Sequence, residues 1–264
     1  VFDVGGVIKI SSRLIFLSNQ TIAGQTAPGG GITIYGDGTS FSGVSHTIVR
    51  FLRFRMGVIG ESGKDTVTAA DGHDIIWDHC SVSWGRDGTF DLNQTSSGDL
   101  YNLTIQDSII SQGLQTHSTG GLMVTAGTSV IRTLFIDNNS RNPKARGTLQ
   151  FVNNVVYNWV DSCYILGDTS GRADGAMIGS YFITGPEAGG PADRDRLIKT
   201  VQSIGKPDVD VDRNAAAAEV SQCGFRHRHG MILQRPEELL VYRYRLLPKE
   251  TLESVEVAEQ ADFL

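Results

Sequence analysis

Cysteine is scarce in this sequence: Cys80, Cys163 and Cys223 are the only three in 264 residues, enough for one internal bridge at most. That excludes a scaffold built on disulfides. Proline, at 7 residues, is too rare for an extended proline-rich spacer. No apolar run approaches the length needed to span a membrane. Basic charge is outnumbered, with 23 Lys and Arg against 29 Asp and Glu for a net charge of −6, so there is no electrostatic footprint for nucleic acid. If a partner is polyanionic, attraction must come from a local patch or a bridging metal. Amphipathic helical patterns are scarce before residue 192. No signal-peptide pattern is visible either, and the chain opens at Val1 within a strand-like run, VFDVGGVIKI, so a missing N-terminal cap is expected.

Glycine, at 31 residues, is plentiful, as suits many tight turns between short strands. Apolar segments recur accordingly, among them residues 7–10, 32–35, 48–54, 75–84, 103–110, 131–136 and 151–159. Aligning Ile48, Ile75, Leu103 and Ile131 gives spacings of 27, 28 and 28 residues, a repeat signature. Propeller blades need longer repeats, and the leucine pattern of leucine-rich repeats is absent. The period predicts an all-β parallel β-helix with about three short strands per coil. Asn102, Asn138, Asn139, Asn153, Asn154 and Asn158 fall at strand ends, where stacked asparagines could form a ladder between coils.

The stretch from Asp65 to Asp91, DTVTAADGHDIIWDHCSVSWGRDGTFD, carries the chemistry. Ile75, Trp77, Cys80, Val82 and Trp84 give it a strand-like apolar core, in which Cys80 reads as a buried, inert thiol. Asp87 and Asp91 lie four apart, about 13 Å along a straight strand, and Gly88 between them permits a tighter path. Asp65 precedes Asp87 by 22 residues, close to one coil, and stacked positions lie only about 4.8 Å apart. Three carboxylates converging this way suit a hard cation, with Ca2+ the natural candidate; three solvated loop aspartates are the competing reading.

Three further segments join that stretch: AGQTAPGGG at residues 23–31, SRNPKARG at 140–147 and QFVNNVVY at 150–157. Together they resemble the pectate lyase family of polysaccharide lyases, over residues 1–190. The resemblance implies a right-handed parallel β-helix that cleaves polygalacturonate by calcium-dependent β-elimination. In the family motif R-x-P-x-x-R the first arginine, here Arg141, is the implied base and the second, Arg146, supports substrate binding; Arg146 or Lys144 would hold a neighbouring carboxylate of the polymer. Asp65, Asp87 and Asp91 are the implied calcium ligands, and His79 matches a structural histidine. The coil before the arginine motif, where the family usually has a substrate-binding lysine, reads ISQGLQTHSTGGLMV, with His117 or Gln112 in that place. This departure bears on substrate preference more than on reaction type. A guanidinium ordinarily stays protonated, so an arginine base needs neighbouring positive charge to favour its neutral form.

The expected division is a catalytic β-helix at 1–190 and a partly helical extension at 191–264 whose His227 and His229 read as surface residues. An extracellular monomer acting on acidic polysaccharide is expected, with no nucleic-acid or membrane partner. Asn19, Asn93, Asn102 and Asn138 begin Asn-x-Ser/Thr sequences that could carry glycan unless buried. Two other functions compete: a β-helix hydrolase, which needs an acid and a base carboxylate around a water, and a non-catalytic binder of acidic polysaccharide.

Overall fold

Strands two to ten residues long, separated by turns, pair in parallel with strands of the next coil and not with their chain neighbours, so the chain winds into a solenoid. The computed structural model describes residues 1–114, 117–168, 170–171, 173–183 and 185–186, with the backbone of two short strands at Val209–Val211 and Phe225–His227. In one coil, Ser81–Ser83 lies on a first face, Phe90–Asn93 on a second and Leu100–Gln106 on a third, before Ile109–Ser111 returns beside Ser81–Ser83. Every strand pairing within the solenoid is parallel, and the first face alone stacks 8 strands from Gly6–Ile10 to Tyr181–Ile183. The predicted parallel β-helix is therefore present, as a solenoid of about 7 turns. The second and third faces fuse where Leu122–Ile131 runs unbroken across both, with a register shift between Thr125 and Thr128.

The repeat alignment holds at its centre and drifts at its ends. Ile75 pairs with Leu103 as expected, but its partner in the preceding coil is Thr47, not Ile48. Leu103 pairs with Thr128 and not Ile131, because the unbroken strand shortens that coil.

Corners are made by left-handed residues at matching places on successive coils. His46, Asp74 and Asn102 have φ of 55°, 56° and 54°; Phe51, His79, Asp107, Arg132 and Asn153 form a second such row, and Trp84, Gln112, Asp137 and Asn158 a third. These are not glycines, so the stacked coils must over-determine the backbone there. Trp84, expected within the apolar alternation, instead turns at a corner, where its indole donates to Gln112 Oε1 at 3.0 Å beneath Arg55.

The interior is a column of rings. Phe16 stacks on Phe41 at 4.2 Å, Phe41 meets Trp77 edge-on at 5.2 Å, and Trp77 meets Phe90 at 5.1 Å; Phe135, Phe151 and Phe182 continue the column further along. Such contacts contribute about 0.5–1.5 kcal/mol each beyond the area they bury. Cys80 lies in this core, and burial pushes its thiol up to about 12, which makes it the inert group expected.

The asparagines do not stack into a ladder. Asn154 donates to the Val130 carbonyl at 2.9 Å and accepts from the Thr133 N–H at 2.8 Å, while Asn138 donates to the Ile110 carbonyl and accepts from the Gly113 N–H. Each thus fastens its coil to strand backbone of an earlier one, and Asn138 also donates to Asn142 Oδ1 at 3.1 Å within its own turn. Asn138 is also 1% exposed, which removes it as a glycan acceptor in the folded chain. The expected extension at 191–264, its helices and His227 and His229 lie outside the described residues, apart from the two antiparallel strands of backbone.

Candidate active site

One column on the second face organises the charged residues. Isolated parallel bridges join Gly88 to Thr119, Thr119 to Ser140 and Ser140 to Ser162, and the Thr66 N–H donates to the Gly88 carbonyl at 3.3 Å. Asp65, Asp87 and Arg141 each flank this column, so residues far apart in sequence sit one or two coils from one another.

Asp65 Oδ1 accepts the Gly88 N–H at 2.8 Å, which ties it to the coil bearing Asp87. Asp91 Oδ1 accepts the Leu122 N–H at 2.8 Å from the coil beyond. The carboxylate of Asp91 folds back against Gly88, where an added Cβ would fall 2.1 Å from its Oδ1. Glycine therefore permits the tight path expected between Asp87 and Asp91. Burial raises Asp91 well above the usual carboxylate range, and the charges of Asp65 and Asp87 push it further against the opposing Leu122 N–H and Arg141. Asp65 is raised by burial first, opposed by the Gly88 N–H, with Asp87 adding to the rise. The structure thus brings the three sequence-predicted acids together as mutually repelling carboxylates.

Does this set suit a cation? Its donors are all oxygen, and among the described residues no ion pair engages Asp65 or Asp91. Two desolvated acids without a bonded counter-charge, beside a third, Asp87, that among the described residues meets only His117, are what a hard divalent ion relieves. The trio is more open than two clusters elsewhere, His46/His73/Asp74 and Asp78/His79/Asp107, whose ligand atoms all lie within 4.8 Å of one another.

Arg141 sits at φ 57°, its carbonyl bonded to the Gly121 N–H at 2.7 Å and the following residue's N–H bonded to the Cys163 carbonyl at 2.7 Å. Both neighbouring coils therefore hold the turn that carries it. Its Nη2 lies 3.3 Å from His117 Nε2, and His117 Nδ1 contacts Asp87 Oδ1. Since a charged guanidinium can only donate, His117 accepts at Nε2 from Arg141 in that form and donates from Nδ1. The imidazole spans the coil between Asp87 and Arg141, a separation of about two 4.8 Å steps.

Lys144 and Arg146 lie on the next strand, Lys144–Val152, at alternate positions that put both on one face. Lys144 Nζ is 2.5 Å from Asp168 Oδ2, and Arg146 Nη1 is 3.8 Å from Asp168 Oδ1. Arg146 Nε is buried without a hydrogen-bond partner. Burial alone would raise Asp168, but Lys144, the Ser170 N–H and Arg146 outweigh it and hold the carboxyl below its usual range. Sequence reasoning missed Asp168: it lies outside the arginine motif, and an acid in a loop carries no signal without the pairing. His79, matched to a structural histidine, contacts Asp78 Oδ1 at 2.6 Å and stacks on Phe51, as a structural residue should.

No protein-family model matches the sequence. Three curated fungal relatives, each named "Probable pectate lyase C", match strongly. The protein of Aspergillus fumigatus is 56% identical over 188 residues, 70% of this chain and 44% of the relative. That of Aspergillus flavus is 55% identical over 189 residues, 71% and 44%, and that of Emericella nidulans 56% over 188, 70% and 43%. The chain thus spans less than half the length of the relatives it matches. The crystal structure of the major allergen from cedar pollen aligns with a TM-score of 0.41 at 19% identity, covering 69% of this chain and 55% of that one, a likeness too low to add weight. With more than half of 188 aligned residues identical, and with the parallel β-solenoid that the sequence motifs imply, the chain belongs to the pectate lyase family.

Proposed function

We propose that the protein is an extracellular polysaccharide lyase that cleaves polygalacturonate, or a closely related uronic-acid polymer, by calcium-dependent β-elimination. The observation that carries this reading is the placement of Arg141 through His117 beside the crowded acids Asp65, Asp87 and Asp91. A hydrolase has no use for an arginine held there.

Asp65, Asp87 and Asp91 would hold the calcium ion. When bound, it neutralises the substrate carboxylate and so stabilises the negative charge that develops on the adjacent carbon. Arg141, in its neutral form, takes the proton from that carbon. The electron pair left behind forms a ring double bond as the glycosidic oxygen departs, and that oxygen collects a proton as it leaves. His117 is a positioning residue, accepting from Arg141 and anchored on Asp87. Lys144 and Arg146 bind a neighbouring uronate, which takes over the contacts that Asp168 makes with both cations.

The test is the nature of the ends produced from polygalacturonate. Elimination leaves an unsaturated, ultraviolet-absorbing end for each reducing end formed. Reducing ends without that absorbance would mean hydrolysis, and neither product from folded protein would mean a binding role.

A further inference from the structure

His46, His73 and Asp74 lie on the third face, at a corner shared by two coils, and take no part in the reaction proposed above. Asp74 Oδ2 is 3.1 Å from His46 Nδ1 and 2.8 Å from His73 Nδ1. The three ligand atoms are all within 4.8 Å of one another. A tetrahedral zinc with arms of about 2.0–2.1 Å has ligand-to-ligand edges of about 3.3 Å. Both measured separations are within about half an ångström of that edge.

We propose that His46, His73 and Asp74 form a binding site for a borderline divalent cation, Zn2+ foremost, which clips two adjacent coils together. The site is oriented before any ion arrives. Asn102, at the matching corner of the following coil, donates to Asp74 Oδ1 and leaves Oδ2 turned toward both imidazoles. His73 stacks on Tyr101 at 5.0 Å and 14°, and His46 meets His73 edge-on at 5.0 Å, which fixes both rings. Among the described residues no arginine or lysine is paired with Asp74.

The other tight cluster serves as a contrast. In Asp78/His79/Asp107, Arg50 bonds Asp78 at 2.6 Å and Arg132 bonds Asp107 at 2.6 Å, so an ion would have to displace two guanidinium groups.

At His46 and His73 binding needs only a change of tautomer. Each neutral imidazole moves its proton from Nδ1 to Nε2 and offers Nδ1 to the metal. With His46 58% exposed, solvent can supply the fourth ligand. Two nitrogens and one carboxylate oxygen select Zn2+, Co2+ or Cu2+ over Ca2+, so this site is chemically distinct from the acidic column.

The test is titration of the whole chain with Zn2+ by calorimetry and with Co2+ by visible absorption, both in the presence of Ca2+. His46→Ala and Asp74→Asn are each expected to weaken one zinc equivalent at least about tenfold. His227→Ala/His229→Ala should leave that equivalent in place. Zn2+ should raise the thermal midpoint of the unsubstituted chain and not that of His46→Ala. The proposal is overturned if the unsubstituted chain binds no Zn2+, or if His46→Ala and Asp74→Asn bind it with unchanged affinity and stoichiometry.

Discussion

Arg141, His117 and Asp87 form a chain of contacts over three coils, so removing its end at Arg141 and its middle at His117 should have different effects. Arg141→Ala removes the base and should lower kcat by about 10²–10⁴-fold. His117→Gln should lower kcat less and alter the pH profile, because the base remains but loses its support. Rates measured on polygalacturonate at saturating calcium check both. Asp91 allows a prediction whose sign follows from linkage. Its carboxyl is raised in the folded chain, so the native state binds its proton more tightly than the unfolded state does. That contribution to stability is fully present below the unfolded value and is lost as pH rises through the folded one. Without calcium, Asp91→Asn should therefore be the more stable protein at neutral pH, with the Leu122 N–H still accepted by the amide oxygen. Urea unfolding in chelator, with and without the substitution, tests this; an Asn variant less stable than the parent would contradict it. Asp168 has the opposite sign, and its stabilising effect should disappear as pH falls through its lowered value.

Among the elements, the joints between coils set the stability. Asn154 satisfies a buried carbonyl and a buried N–H of another coil, so Asn154→Ala should cost about 1–3 kcal/mol by leaving both unpaired. Trp77→Ala, which opens the ring column between Phe41 and Phe90, should cost about 3–5 kcal/mol. At Gly72, with φ 108°, an added Cβ would meet the Val44 carbonyl at 2.1 Å, so Gly72→Ala should be at least as disruptive as a core cavity. Denaturant midpoints rank all three. The same joints explain what sequence could and could not reveal. Alternating apolar residues and a near-constant period made the parallel solenoid legible, and spacing and family motifs pointed to Asp65, Asp87, Asp91 and Arg141, which the fold places near one another. The corners were legible only where Asn102, Asn153 and Asn158 mark them, because other left-handed places are filled by His46, Trp84 and Arg132. Nor could sequence show which way Asn154 points or that Asp168 meets Lys144, since both depend on coil lengths that vary along the stack.

For the molecule as a whole, the solenoid is a sum of neighbouring contacts, and the charge of −6 opposes a polyanion. Recognition must therefore be local, and in the proposed function calcium supplies it. An ion that binds the folded acids alone should stabilise the chain by about 2.7 kcal/mol at a hundredfold excess over its Kd. The ultraviolet absorbance formed from polygalacturonate joins stability to chemistry, and its initial rate is the measurement to make, with calcium, with excess chelator, and for Arg141→Ala in calcium. The expected result is a rise in calcium that chelator abolishes and Arg141→Ala nearly eliminates. A rise that persists in chelator, or an Arg141→Ala rate equal to that of the unsubstituted chain, would contradict the calcium-dependent lyase reading.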